Sequence, residues 1–131
     1  MFAIAPEERK LLAIVDRDPR YSLSAYEFTR QAVTYASDVV FATGTHVSGQ
    51  ELLEAIRRFG LAQFGLMTRE VFESWGVRTT DDFGEIVFNL VDAKLLSKTE
   101  EDSRNDFRSV YAFNEVFDPA EYWQEVLESQ G

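Results

Sequence analysis

One histidine, no cysteine and a run of carboxylates bound the chemistry that this 131-residue sequence can carry. His46 stands two residues before Ser48, and a serine beside an imidazole is the raw material of a nucleophile with its general base. The same Ser48, however, lies three residues before Glu51 with Val47 and Leu52 flanking, which is the spacing of a capping box closed by a hydrophobic staple. Capping accounts for Ser48 without a reaction, and no third group stands ready to orient the imidazole. His46 is therefore expected to order its loop by local hydrogen bonding, and a small enzyme centred on His46 is the weakest of three functional readings. Disulfides, thiolate metal sites and thiol nucleophiles are excluded together.

Glu100, Glu101, Asp102 and Asp106 offer the oxygen donors that a hard cation such as calcium or magnesium takes. Their order lacks the D-x-[DN]-x-[DN]-G register of a dedicated loop, so a solvated hairpin tip, with Arg104 bridging two acids, is the simpler reading. Asp82-Phe83-Gly84 spells the DFG triplet of kinases, yet no Gly-rich loop, strand lysine or catalytic loop accompanies it. The triplet reads as a helix start whose acids meet the positive end of the macrodipole. Neither a P-loop nor G-x-G-x-x-G occurs, and no cofactor is expected. Arg57, Arg58 and Arg69 form a small basic group, of which Glu54 answers the first two at helical spacing.

The elements that must position these residues announce themselves by their caps. Pro6 with Glu7 and Glu8 opens a helix over about residues 4–16, stopped by Asp18-Pro19. Ser24 with Glu27, stapled by Leu23 and Phe28, predicts a central helix to about Phe41 or Ala42, ended by Gly44. The Ser48 box opens a third, in which Gly60 on the apolar face implies close approach by a neighbour and Gly65 marks the end or a kink. Thr68 is placed to cap a short fourth helix terminated by Gly76.

Gly76 to Phe113 then carries the most readable pattern. Thr79 and Asp82 open a helix with a buried stripe of Phe83, Ile86, Val87, Leu90 and Val91, and an outward face of Glu85, Phe88, Asn89 and Asp92. Leu95 to Lys98 and the alternating Phe107–Phe113 predict two strands around the acidic loop, a small antiparallel hairpin. Asp118-Pro119-Ala120-Glu121 opens a last helix, expected to pack through Tyr122, Trp123, Val126 and Leu127. The expected fold is a single mostly α (α+β) domain over residues 1–131, about six helices and one hairpin, with a winged helix-turn-helix-like C-terminal half; a generic helical bundle bearing a small hairpin is the competing reading.

Long stretches also resemble a known family. The segments H-V-S-G-Q-E-L-L, T-x-D-F-G-E-I-V-F-N-L-V and K-T-E-E-D-S-R, with the aromatic YAF that follows, resemble a small uncharacterised bacterial protein family found chiefly in planctomycetes and verrucomicrobia, over about residues 20–117. That resemblance implies one coherent domain and carries no functional residue with it.

The charge balance decides between the two leading functions. Formal net charge is -10, and residues 97–131 hold 3 Lys/Arg against 9 Asp/Glu. Such a surface repels phosphate backbones and attracts basic partners. A DNA reader would carry Arg, Lys, Asn or Gln on the exposed face of the Thr79–Ala93 helix, but Glu85 and Asp92 flank the one Asn89 there. Phe88 among acids is instead the pattern of an apolar anchor within a polar rim. The leading expectation is thus a non-enzymatic protein-interaction or adaptor module. Its partner-binding residues would be Glu85, Phe88, Asn89, Asp92, Glu100, Glu101 and Asp102, facing a basic or amphipathic protein. A DNA-binding transcriptional regulator is the alternative. No signal peptide or membrane span is read, so a cytoplasmic setting is expected.

Overall fold

Two prolines frame the first helix, α1 (Pro6–Arg17): Pro6 opens it and Pro19 follows its end. Next come α2 (Leu23–Tyr35), α3 (Gly49–Phe64), α4 (Thr68–Ser74) and α5 (Thr80–Asp92), then a 3-10 turn at Arg104–Phe107 and a single helical turn, α6 (Phe113–Val116). The computed structural model describes residues 6–37, 47–118, 120, 123, 127 and 128. Among them all regular structure is helical, so the mostly α expectation holds and its β part does not. The expected end of the second helix near Phe41, Gly44 and His46 lie outside the described residues, as do Tyr122 and Val126. No helix among the described residues is long and apolar enough to cross a membrane.

α2 packs against α3 and α5, α1 crosses both α2 and α5, and α4 folds back on α3. Their shared core is aromatic. Phe72 is fully buried, with ring centroids of Phe28 and Phe83 at 5.2 Å, Phe117 at 5.5 Å, Trp75 at 5.6 Å and Phe113 at 5.8 Å. Gly60 permits this, because a Cβ there would meet Phe72 Cζ and Thr68 Cγ2 at 2.9 Å each. The close approach expected at Gly60 is thus between α3 and α4.

The caps divide into those that local spacing sets and those that distant contacts set. Ser48 and Glu51 form the expected reciprocal box, with Glu51 N donating to Ser48 Oγ at 3.1 Å and Ser48 N to Glu51 Oε1 at 2.9 Å. α2, however, begins at Leu23 rather than after Ser24, with Ser22 at the N-cap position and no side-chain cap bond. The cause is tertiary: Ser22 N donates to the Trp75 carbonyl at 3.1 Å, fixing where the chain turns into the helix. Thr68 likewise does not cap α4: it is the first helical residue, and Met67 stands at the N-cap position with no side-chain cap bond. Its buried hydroxyl donates to the Gly60 and Gly65 carbonyls at 3.1 and 2.7 Å, closing the end of α3.

The hairpin and wing expected over Leu95–Phe113 are absent, and the backbone shows why. Lys94 takes a left-handed φ of 63°, Lys94 N donates to Val91 O at 2.9 Å and Leu95 N to Leu90 O at 2.9 Å, a Schellman closure of α5. Leu96 N also points to Leu90 O, at 3.3 Å, so the first strand's donors are already spent on the helix end. In the second segment Ser109, at φ 48°, breaks the alternation. Its backbone pairs with the start of α5 instead of a strand. Thr80 Oγ1 donates to Phe107 O at 2.7 Å and accepts from Val110 N at 3.1 Å, while Ser109 N donates to Asp81 Oδ1 at 3.0 Å. Phe107 is drawn into the gap that Gly49 and Gly84 leave; a Cβ on Gly84 would stand 2.8 Å from Phe107 Cβ.

Candidate functional site

The face of α5 expected to meet a partner is partly covered: Glu85, Phe88 and Asn89 are half-buried and Asp92 is exposed. Asn89 Nδ2 donates to Asp18 Oδ2 at 2.9 Å and to the Tyr26 hydroxyl at 3.0 Å, tying α5 to the turn after α1 and to α2. Glu85 lies between two guanidinium groups, 3.5 Å from Arg20 and 3.4 Å from Arg104. Arg104 also stacks over the Phe88 ring, 4.8 Å from its centroid, and does not bridge acids of its own loop. Phe88 is half-buried beneath it.

These contacts form a polar seam beside the aromatic core. Arg20 holds Asp18 through two side-chain bonds of 2.9 and 2.7 Å, and with Asn89 it pulls the Asp18 carboxyl well below the usual carboxylate range. Tyr21, buried, donates to Asp82 Oδ1 at 2.6 Å, and burial followed by that bond pushes its phenol up. The other Asp82 oxygen accepts from the backbone N–H of Arg78 at 2.8 Å and of Thr79 at 3.2 Å. The DFG triplet is therefore a helix start, and its aspartate is fully engaged in holding that start. Each charge in the seam has a partner, which suits the seam to positioning helices rather than to proton transfer.

Open concavity lies on the other side of Phe88. A cleft of about 180 Å³ sits between α2, α3, α5 and the 96–107 loop. Val33, Leu52, Val87, Phe88, Val91 and Leu96 supply its apolar lining, and Phe107, fixed by the two glycines, closes one wall. Among the described residues Lys98, Asp102 and Asp106 are its charged lining. Asp102 Oδ2 accepts from Thr99 N at 2.9 Å and Asp106 Oδ2 from Ser103 N at 3.0 Å, so turn geometry orients both carboxylates.

The seven residues expected to bind a partner are thus dispersed. Phe88 and Asp102 meet at the cleft, Glu85 and Asn89 are consumed by the seam, and Asp92, Glu100 and Glu101 are exposed away from its lining. Sequence reasoning missed Leu96, Lys98 and Asp106 as lining residues, since it assigned them to a hairpin. The Asp118 cap has one visible trace, Ala120 N donating to Asp118 Oδ1 at 2.7 Å, whereas Trp123 and Leu127 are 54% and 66% exposed rather than packed away. Among the described residues no three His, Asp or Glu side chains gather as metal donors, and Asp102 and Asp106 cap separate turns. No protein-family model, curated protein or solved structure matches the chain.

Proposed function

We propose that this protein is a non-enzymatic protein-interaction or adaptor module that receives one apolar side chain of its partner in the α2/α3/α5 cleft. The observation that carries the reading is the cleft itself: a concave apolar floor, bordered by oriented polar groups, beside a seam whose charges are all spent on structure. Interfaces concentrate their energy where an anchor side chain fills such a pocket within a polar rim. The adaptor role thereby moves from the outward face of α5 to the groove along its edge. Asn89 gives both of its amide hydrogens to Asp18 and Tyr26, which weighs against the DNA-reading alternative, for which it was the one base-reading candidate. Membership of the planctomycete and verrucomicrobial family, and a cytoplasmic setting, belong to the same proposal.

Peptide display on the immobilised protein tests it. Sequences sharing one aromatic or leucine anchor should be enriched on the wild type and lost on Val91→Trp, whose indole would fill the cleft. Failure to enrich an anchor, or equal retention on both proteins, overturns the reading.

A further inference from the structure

We infer that the cleft selects an anchor of Phe or Leu size that has a cationic neighbour, so that the partner is a basic amphipathic segment of another protein. The inference rests on the cleft reading above and adds the chemistry of the occupant. Volume sets the anchor: a cavity of about 150 Å³ lined by Leu, Ile and Phe takes one benzene ring, so about 180 Å³ holds one ring or branched chain, not two. Charge sets the neighbour. Among the described residues two carboxylates, Asp102 and Asp106, line the cleft against one ammonium, Lys98, and Lys98 Nζ turns to the carbonyl of Thr99 at 3.3 Å. Exposed Glu100 and Glu101 add to the negative side, while Arg104, paired with Glu85 and stacked on Phe88, is not among the lining residues.

Each cleft carboxylate spends Oδ2 on a turn N–H, which fixes its direction, and Oδ1 has no hydrogen-bond partner among the described residues. An incoming guanidinium therefore finds acceptors already oriented, which lowers the ordering cost that weakens most surface ion pairs. A carboxylate in the same place would face two like charges.

Three acetylated hexapeptide amides separate the possibilities, each with one phenylalanine in an alanine background and with arginine, glutamine or glutamate beside it. They are titrated into the isotope-labelled full chain while the methyl signals of Val33, Leu52, Val87, Val91 and Leu96 are followed. The arginine peptide should bind roughly threefold tighter than the glutamine peptide, the size of a rim ion pair, with the glutamate peptide weakest. The Asp102→Asn, Asp106→Asn double variant keeps an oxygen for each turn and should erase the ranking while leaving the methyl spectrum folded; Lys98→Gln should widen it. Equal binding of all three peptides overturns the charge selectivity and leaves the cleft reading standing. Absence of any methyl shift overturns both.

Discussion

Two regions meet along α5 and are stabilised by opposite means. On one side Phe72, Phe28, Phe83, Trp75 and Phe113 pack as an aromatic cluster, where adhesion comes from area removed from water and from ring geometry. On the other side Asp18, Arg20, Tyr26, Glu85 and Asn89 form a chain of directed bonds at the protein's edge. The first region shares its energy among many weak contacts and cannot be relieved by solvent. The second depends on a few directed bonds, whose charged members Arg20 and Glu85 are partly exposed to water and salt while Tyr26 is buried. A helix wedged between them is oriented by the polar side and held in place by the aromatic side, which leaves its remaining edge free to line a cleft.

The comparison breaks most visibly at its aromatic centre. Phe72→Ala removes the ring that packs on five others among the described residues, and the backbone-pinned neighbours Gly60 and Thr68 leave the cavity little room to collapse. The expected loss is about 3–5 kcal/mol in urea or guanidinium unfolding. Against the roughly 5–15 kcal/mol total of an ordinary domain, this brings the fold close to its threshold. A loss below about 1 kcal/mol would show that the cluster is not the stabilising centre.

The seam should respond more weakly and in a coupled way. Asn89→Ala strips a partner from both Asp18 and Tyr26, and about 1–3 kcal/mol is expected. Tyr26→Phe alone should cost less, because the ring stays buried, and the double variant should cost less than the sum of the two. Additive losses would mean that the three groups do not act as one network.

The same division explains how much of this molecule could be read in advance. Several boundaries set by neighbours in sequence were legible: the prolines around α1, the Ser48–Glu51 box, the Gly76 terminator at φ 91° and the apolar stripe of Phe83, Ile86 and Leu90. Boundaries set across the fold were not. Ser22 starts α2 because of Trp75, Thr68 closes α3 because of Gly60, and the strands after α5 dissolve because the Thr80 and Asp81 side chains take the backbone groups of residues 107–110. Alternating Phe107, Ser109, Tyr111 and Phe113 look the same whether a strand partner or a helix start receives their backbone. The contacts made by the candidate site residues were hidden for a related reason. Glu85 and Asn89 were read as exposed by helical periodicity, and only the position of Asp18, 71 residues away, reveals what covers Asn89.

Acid titration gives the finest separation of the two regions, because only one of them titrates. Arg20 and Asn89 hold the Asp18 carboxyl below its ordinary value near 3.8, so its contribution is fully present above that value and is lost as pH falls toward the folded-state pKa. Stability should therefore decline below about pH 4, and Asp18→Asn should flatten that limb while leaving neutral-pH unfolding of the aromatic cluster cooperative. The effect is smaller than that of Asn89→Ala, since the Arg20 side chain is 55% exposed and water screens its half of the pair. Added salt at neutral pH should remove part of what acid removes, and should leave the Phe72→Ala loss unchanged. An acid limb that Asp18→Asn does not alter would place the titrating groups elsewhere on the acidic surface and reduce the seam to its neutral bonds.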